Sequence, residues 1–313
     1  MSQFQPAAAT IFASDFNGGE ALTVGAITSL EIRNKTDTAV DRSHPSGDRI
    51  RTLQGQVPEI ILKTKSVKTW LSLTGITGYP IASGGYVALW AIDSQTGEVL
   101  RYMIEKALIV ADELTLTKAG EFELTVRIHP LTGNSTATPI YVSISDEPVP
   151  QPVISDEEYW NAACRVGGVP LQGFESFSID FGAELTDKYA AAGNVWPDSL
   201  AVRAVHPKIT LALYAPDELQ TDGDLFPVTG SQATHANTKL QLFRARKADR
   251  DPVHIAITVN GMITVPIIFK GKPLTEEDDE GATFTLQIDA LPDDAGNDPL
   301  EIDLAAVYDP LAE

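Results

Sequence analysis

The stretch Gly167–Gly182 has the sequence GGVPLQGFESFSIDFG, a Gly-Gly pair followed by residues that alternate between apolar and polar. Such alternation is typical of a β-strand with one buried face. The stretch Gly18–Asn34, GGEALTVGAITSLEIRN, also begins Gly-Gly-x-x-Leu and alternates through a Ser to an Ile. The two stretches lie 149 residues apart, which indicates that the chain contains one strand pattern twice.

More strand-like segments recur in the same order in the two halves of the chain. They are Val57–Leu62 with His206–Leu211, Val87–Ala91 with Leu240–Arg244, and Leu124–Ile128 with Phe284–Ile288. The offset between partners grows from 149 to 160 residues, as short loop insertions would produce. Because shared order and spacing are harder to explain by chance than a single match, the sequence predicts a tandem duplication.

A proline-rich linker is the predicted boundary between the copies. Residues 148–154 hold three prolines at alternate positions, a composition that favours an extended spacer. We therefore expect a first domain at residues 1–147 and a second at residues 155–313. A chain of 313 residues is long enough for two domains that each bury a core.

Most of both copies has the period of strands, so we expect an all-β fold. Clean alternation predicts strands at Glu121–Ile128, Gln172–Phe181 and Ala282–Ile288. A polar turn at Asp93–Gly97 predicts a hairpin between Tyr86–Ile92 and Glu98–Ile104.

A second hairpin is predicted between His254–Val259 and Met262–Phe269, because Asn260-Gly261 is a strong turn signal. About one short helix is expected in each copy. The candidates are Ser66–Leu73, with apolar residues on one side, and Ser155–Arg165, with a good capping residue and acids in its first turn.

The composition is acidic, with 23 basic and 43 acidic residues and a net charge of −20. Residues 1–150 carry 12 basic and 16 acidic side chains, net −4, which leaves −16 for the second half. Such a surface repels nucleic acid phosphates, so we expect no sequence-specific DNA or RNA binding. No apolar run is long enough to cross a bilayer, and the first residues lack the pattern of a secretory signal. We expect folding in a cytosol and no membrane partner.

No motif of a catalytic, cofactor or metal site occurs in the chain. The histidines lie far apart, and we expect each to be a solvent-facing strand or turn residue; they are His44, His129, His206, His235 and His254. The lone Cys164 cannot form an internal disulfide or a thiolate metal site, so it is expected to be a small buried apolar residue. We predict that the protein is not an enzyme and has no catalytic, cofactor-binding or metal-binding residues.

Two charged clusters and the tryptophans have competing interpretations. The acidic run Glu276–Glu280 could collect calcium, but it lacks the alternating ligands of a known calcium loop, which favours a solvated loop. The basic cluster Arg244–Lys247 could contact phosphate, but the acids that follow favour a hairpin tip or an intersubunit salt-bridge face. The four tryptophans share no strand or regular spacing, which argues against an aromatic platform for sugars.

The second copy resembles bacteriophage tail tube (major tail) proteins. The resemblance rests on Gly167–Gly182 with its Ile-Asp-Phe-Gly end, on Asn194–Asp198 with its Trp, and on Ala204–Leu211 with its Pro-x-Ile-Thr. It implies tail-tube-like β-sandwich or half-barrel domains whose inner strands join those of neighbours in a ring. It requires no catalytic residue.

In such tails six domains close one β-barrel, and stacked rings form the conduit for genome ejection. Two domains in one chain would let three chains form a trimeric ring with pseudo-sixfold symmetry; the alternative is a hexamer in which one copy lines the tube. The resemblance implies tape measure and tail completion proteins as partners, and genomic DNA that passes through the lumen without specific binding. It also implies a virion tail location after assembly in the host cytoplasm.

Two long polar stretches, Asn34–Asp48 and Ala183–Leu200, occupy corresponding places in the copies. They are interpreted either as arms that contact the next ring or as ordinary surface loops. Other functions remain as alternatives: another virion component, such as a tail-tip, connector or capsid-decorating protein, or a non-catalytic carbohydrate-binding β-sandwich pair.

Overall fold

The structure is a computed structural model, and the statements below concern the residues that it describes. These are residues 4–41, 50–82, 84–117, 122–132, 138–152, 159–166, 169–171, 174–188, 196–213, 235–246, 254–263, 268–270, 283–290 and 298–304. Within them the chain consists of antiparallel strands, one α-helix and a short 3-10 turn. The all-β fold predicted from the sequence is confirmed.

Ten described strands and the helix precede the proline-rich segment. They are β1 (Phe4–Phe12), β2 (Leu22–Val24), β3 (Ile27–Asp41), β4 (Ile50–Thr64), α1 (Val67–Thr74), β5 (Tyr79–Ile81), β6 (Tyr86–Asp93), β7 (Val99–Ile104), β8 (Ala107–Thr117), β9 (Phe122–Pro130) and β10 (Tyr141–Ser145).

The described strands after that segment are β11 (Tyr159–Val166), β12 (Val169–Leu171), β13 (Phe174–Asp180), β14 (Ala183–Lys188), β15 (Ser199–Val205), β16 (Lys208–Leu213), β17 (His235–Arg246), β18 (His254–Ile263), β19 (Ile268–Lys270), β20 (Thr283–Ala290) and β21 (Leu300–Asp303).

The chain divides into two compact units, each built from several segments. The first comprises Met1–Ala111, Thr125–Asp156 and Glu184–Ala204, and the second comprises Asp112–Leu124, Glu157–Ala183 and Val205–Glu313. These units do not follow the predicted division at residues 148–154, because each contains segments from both sides of the linker. The tandem domains stay a prediction.

The first unit contains a five-stranded antiparallel sheet in the order β10-β7-β6-β1-β2 and a second run of strands in the order β9-β4-β3. Its core includes Ile11 of β1, Leu89 of β6, and Ile60 and Leu62 of β4, all at most 1% exposed. The segment that carries β14 and β15 is attached here by backbone and side-chain hydrogen bonds. The Thr132 N–H donates to the Pro197 carbonyl at 3.1 Å.

Helix α1 shows why this one segment is helical. Its residues Val67, Trp70, Leu71 and Thr74 are buried and recur at three- and four-residue spacing, so one face packs inward. Gly75 ends the helix with a φ of +52°, and its N–H donates to the Leu71 carbonyl at 2.8 Å. The helix predicted at residues 66–73 is confirmed.

The second unit is one run of strands in the order β12-β11-β17-β18-β20-β16-β13, with the end of β8 paired to β13. Strand β19 pairs with β20 and β21 pairs with β18. Alternate residues of neighbouring strands form its core, including Leu114, Ile179, Ile209 and Leu211, each 0% exposed.

Strand pairing follows the same order in the two halves of the sequence. In the first half β1 pairs with β2 and β6, β6 pairs with β7, and β7 pairs with β10. In the second half β11 pairs with β12 and β17, β17 pairs with β18, and β18 pairs with β21. The run β3-β4-β9-β8 has the counterpart β13-β16-β20-β19.

Several elements agree with the sequence-based predictions. Strands β6 and β7 form the predicted hairpin, in which the Gly97 N–H donates to the Asp93 carbonyl at 2.9 Å. Strands β9, β13 and β20 cover the alternating segments that were expected to be strands.

The helix predicted at Ser155–Arg165 is wrong for the part that the structure describes, because Tyr159–Val166 is strand β11. This strand pairs with β12 on one edge and with β17 on the other. Pairing on both edges outweighs the helix-start signals, since helix propensity is a weak local preference.

The hairpin predicted at Asn260-Gly261 is also wrong. Strand β18 continues through both residues, which lie opposite Lys239 and Thr238 of β17, and Gly261 also lies opposite Ala290 of β20. A continuous partner strand keeps this Asn-Gly pair extended. Pro266, which was expected to mark an edge or bulge, lies outside the described residues.

The long polar stretch Asn34–Asp48 is not a loop over its described part. Strand β3 runs to Asp41 and pairs with β4 from Ile27↔Thr64 to Asp41↔Ile50. In the second stretch, Ala183–Leu200, β14 and the start of β15 likewise form a two-stranded sheet. Polar side chains on both faces concealed these strands, because period-2 alternation is visible only where one face is buried.

Candidate functional site

The exposed large apolar residues of the described chain all lie on edge strands. Ile32 on β3 is 42% exposed, and on β10 Tyr141, Val142 and Ile144 are 45%, 58% and 63% exposed. Strand β3 is the terminal strand of the series that contains β4 and β9, and β10 is a terminal strand of the five-stranded sheet. Unpaired edges with apolar side chains can accept further strands, so these two edges are candidate assembly surfaces.

Strand β10 pairs with β7 in the register Tyr141↔Met103 to Ser145↔Val99. Successive side chains of a strand point to opposite faces. Since Tyr141 and Val142 are neighbours and both are exposed, neither face of β10 is covered. Sequence reasoning missed this strand, although the alternation in Tyr141–Ser145 before a proline-rich segment was a usable signal.

An ion pair flanks Ile32 on β3. The Arg33 guanidinium donates two hydrogen bonds to the Glu31 carboxylate, at 2.7 and 2.8 Å. The hydrogen bond from Arg33 holds the pKa of Glu31 below its usual range, and the same bond raises the pKa of Arg33. Both side chains are more than half exposed, so the pair adds little stability but fixes charge beside the apolar residue.

The β3–β4 hairpin is the longest in the described chain, with 15 residues in each strand. A strand of that length spans about 50 Å, well beyond the usual 17–20 Å. A register shift between Asp37 and Thr38 marks a bulge, which bends such a ribbon and increases its twist.

The Ile-Asp-Phe-Gly end of β13 forms a tight corner. Ile179 and Phe181 are 0% exposed, and the Asp180 carboxylate accepts a hydrogen bond from the Gly182 N–H at 2.9 Å. Gly182 has a φ of +59°, and a Cβ there would lie 2.2 Å from the His206 carbonyl oxygen. The His206 N–H donates to the Gly182 carbonyl at 3.1 Å, so glycine is required by both conformation and space.

Strand β13 is covered on both edges. One edge pairs with β16, and the other pairs with β8 from Ser176↔Thr117 to Asp180↔Glu113. The Phe181 N–H extends this second ladder by donating to the Asp112 carbonyl at 2.9 Å. The run β3-β4-β9-β8 of the first half ends at β8, and the run β13-β16-β20-β19 of the second half begins at β13. The β8–β13 pairing therefore joins the two runs end to end.

The histidines do not assemble into a site. His129 on β9 is 6% exposed, which corrects the expectation that each histidine faces solvent. Ile128 and Pro130 beside it are buried as well, so both faces of β9 are covered there. His206 is exposed, His235 and His254 begin strands, and His44 lies outside the described residues. No group of three or more potential metal ligands occurs within the part of the chain that the structure describes.

The other chemistry-bearing residues are dispersed as well. Cys164 lies in β11 opposite Leu171 and Leu242, and its side chain is outside the described set, so its burial stays a prediction. Arg244–Arg246 end strand β17, before a connection that is not described. The run Glu276–Glu280 also lies outside the described residues.

Two of the four tryptophans cannot serve as exposed platforms, because Trp70 is 0% and Trp90 is 5% exposed. The Trp90 indole N–H donates to the Thr10 hydroxyl at 3.1 Å, and the Arg101 guanidinium carbon lies 5.6 Å from the ring centroid. These contacts give Trp90 a structural role in the five-stranded sheet.

Tyr79 donates a hydrogen bond to the Asp15 carboxylate. Burial and this contact raise the pKa of Tyr79 to about 12. A phenol with this pKa stays protonated at neutral pH and acts as a donor. Its stabilising effect is complete below the ordinary value near 10 and is lost as the pH rises towards 12.

Among the described residues, no helix has the length and apolar character needed to span a membrane. No model of a known protein family matches the chain. No curated protein matches it significantly either.

Proposed function

We propose that this chain is a structural virion protein that self-assembles into stacked rings and forms a phage tail tube, the conduit for genome ejection. The observation that carries the proposal is the exposure of apolar side chains on the terminal strands β3 and β10. A strand added by a neighbouring subunit would cover these side chains and satisfy the open backbone groups.

The repeated pairing order supports two tube-like modules in one chain. Seven strand pairings of the first half have counterparts in the second half, in which β13 corresponds to β3 and β19 corresponds to β8. Two modules per chain favour a ring of three chains with pseudo-sixfold symmetry, and a hexamer with one module lining the lumen is the alternative.

The long β3–β4 hairpin supports the stacking of rings. A ribbon of about 50 Å that is exposed on residues 28, 29 and 31–34 is long enough to reach a neighbouring ring. In this proposal the hairpin is the arm that contacts the next ring.

The charge of the chain is consistent with a conduit for DNA. A net charge of −20 repels phosphates, so DNA could slide past without binding. Tape measure and tail completion proteins would be the further partners in the virion tail, reached after assembly in the host cytoplasm.

The alternatives have less support. Sugar binding by a β-sandwich pair usually needs exposed aromatic residues, and Trp70 and Trp90 are buried. A tail-tip, connector or capsid-decorating protein would also use open edges, but it would form one ring or attach to another protein and would not polymerise.

Negative-stain microscopy of the purified chain, with light scattering for mass, tests the proposal. We expect rings with an open centre that stack into tubes. A variant in which a two-residue Asn-Gly turn replaces residues 38–54 should form rings that do not stack, because it lacks the outer hairpin. A chain that stays monomeric at high concentration would overturn the proposal, and tubes from the shortened variant would overturn the role of the hairpin.

A further inference from the structure

The strand β3 has an open edge where its counterpart is covered. In the described chain β4 is the only strand that pairs with β3. Ile60 and Leu62 of β4 correspond to Ile209 and Leu211 of β16, so the ladders match Leu30 to Phe177 and Ile32 to Ile179. Leu30 is half-buried and Ile32 is 42% exposed, whereas Phe177 is 5% and Ile179 is 0% exposed.

The difference in burial follows from a missing neighbour strand. Strand β13 is flanked by β16 and by β8, whose facing residues Leu114 and Leu116 are at most 1% exposed. Strand β3 has the equivalent of β16, namely β4, but no strand among the described residues pairs with it in the position of β8. The chain therefore carries, in its own β8–β13 pairing, an example of the contact that β3 lacks.

The second half of the chain contains the complementary open edge. Strand β19 corresponds to β8 in the pairing order, and within the described residues it pairs only with β20. One chain thus has a β13-like edge at β3 and a β8-like edge at β19. Two such edges on different copies are heterologous, so they generate a closed ring when the rotation between copies closes.

We propose that Ser29–Arg33 of one copy pairs antiparallel with β19 of a second copy, as Ser176–Asp180 pairs with β8 inside one chain. This inference rests on the proposed tube function and names its subunit contact. It makes every module contact in the ring alike, whether within one chain or between chains. It favours the ring of three chains over the hexamer with one lining module.

The register of the contact can be read from neighbouring ladders. In the second half Lys270 lies opposite Thr283 of β20. Thr283 corresponds to Glu123 of β9, whose carbonyl accepts a hydrogen bond from the Thr115 hydroxyl of β8. Lys270 therefore occupies the place of Thr115 or its neighbour Leu116.

Leu30 is the residue of β3 that should lie closest to Lys270. It corresponds to Phe177, which lies opposite Leu116 of β8. Directly opposed residues of antiparallel strands have Cβ atoms about 5 Å apart, near enough for a disulfide.

Cross-linking between copies tests this contact. The chain has one cysteine, so Cys164→Ser removes background thiols. In that background we would co-express a Leu30→Cys chain with a Lys270→Cys chain and oxidise the purified assembly. We expect a covalent heterodimer on a non-reducing denaturing gel. The control is Ile144→Cys co-expressed with Lys270→Cys, which places the thiol on the exposed strand β10.

Each outcome separates the contact from the function. Rings without the Leu30–Lys270 cross-link, or with cross-links only in the control, would overturn the strand pairing and leave the tube proposal standing. A covalent heterodimer without rings would support the pairing and overturn the tube. Absence of both rings and cross-links would overturn both.

A matched pair of charge variants gives a second measurement. Ile32→Lys would place an ammonium group in the contact, and we expect half-assembly to require about tenfold more protein, the equivalent of 1.4 kcal/mol. Gln95→Lys adds the same charge at an exposed residue of the turn between β6 and β7, away from both edges, and should assemble as the unmodified chain does. Equal assembly of the Ile32→Lys and unmodified chains would contradict the proposal.

Discussion

Two hairpins, 149 residues apart, occupy the same place in the pairing order but differ in shape and burial. The first is β3–β4, which runs without interruption from Ile27↔Thr64 to Asp41↔Ile50. The second is divided by a corner at Gly182 and His206 into β13–β16 and β14–β15. Strand β4 spans residues 50–64, and β15 and β16 together span 199–213, the same range shifted by 149. Similar sequences therefore yield one continuous ladder and one divided ladder, and the neighbouring strands decide which apolar residues are buried.

The largest expected effect contrasts Phe181 with Ile32. Phe181→Ala should destabilise the fold by about 4 kcal/mol, because a fully buried aromatic side chain is lost and a cavity remains. Ile32→Ala should cost less than about 1 kcal/mol in single chains, because that side chain is already 42% exposed. Urea denaturation below the assembly concentration measures both. Equal losses of unfolding free energy would show that the two strands have the same environment.

The next effect concerns the corner itself. Gly182→Ala should cost about 3 kcal/mol, because the new Cβ would meet the His206 carbonyl oxygen and φ is positive. Gly97→Ala is the matched control, since φ is +73° there and nothing lies within 4 Å of the added Cβ, so only about 1 kcal/mol is expected. The denaturation midpoints of the two variants measure both losses of stability. A Gly182→Ala protein no less stable than the control would refute a sterically closed corner.

Strand periodicity allowed much of the fold to be predicted from the sequence. Alternation located β9, β13 and β20, and the apolar face of residues 66–73 located α1. The repeated Gly-Gly phrase indicated that β3 and β13 correspond. These features are local, because a buried face leaves its period in the chain wherever the partner strand comes from.

The errors arose where partner strands override local signals. Asn260-Gly261 favours a turn, yet a continuous neighbour keeps it extended, and Tyr159–Val166 is a strand because both of its edges are paired. The candidate surface was hidden for the same reason. SLEI at Ser29 and SFSI at Ser176 have the same pattern, so only their partners distinguish exposed Ile32 from buried Ile179.

A smaller effect concerns Asp180, whose carboxylate accepts the Gly182 N–H at the corner. Asp180→Ala removes the acceptor of the Gly182 N–H and should cost about 1 kcal/mol, the usual net value of one hydrogen bond. Asp180→Asn retains an oxygen acceptor and should recover most of that loss. Denaturation of the two variants side by side measures the difference. Equal stability of Asp180→Ala and the unmodified chain would exclude the side chain from stabilising the corner.

The smallest effect is electrostatic and lies on β3. The hydrogen bond from Arg33 lowers the pKa of Glu31, so this pair stabilises the fold above the usual glutamate range and loses its effect as the pH falls through the lowered pKa. Arg33→Gln should return the pKa of Glu31 towards its ordinary value, and high salt should move it in the same direction by screening. Carboxyl NMR titration measures both shifts in single chains. If assembly covers this edge, the pKa of Glu31 should also differ between single chains and rings. A pKa unchanged by Arg33→Gln would mean that the ion pair does not persist in solution, and Ile32 would then lack its fixed charged flank.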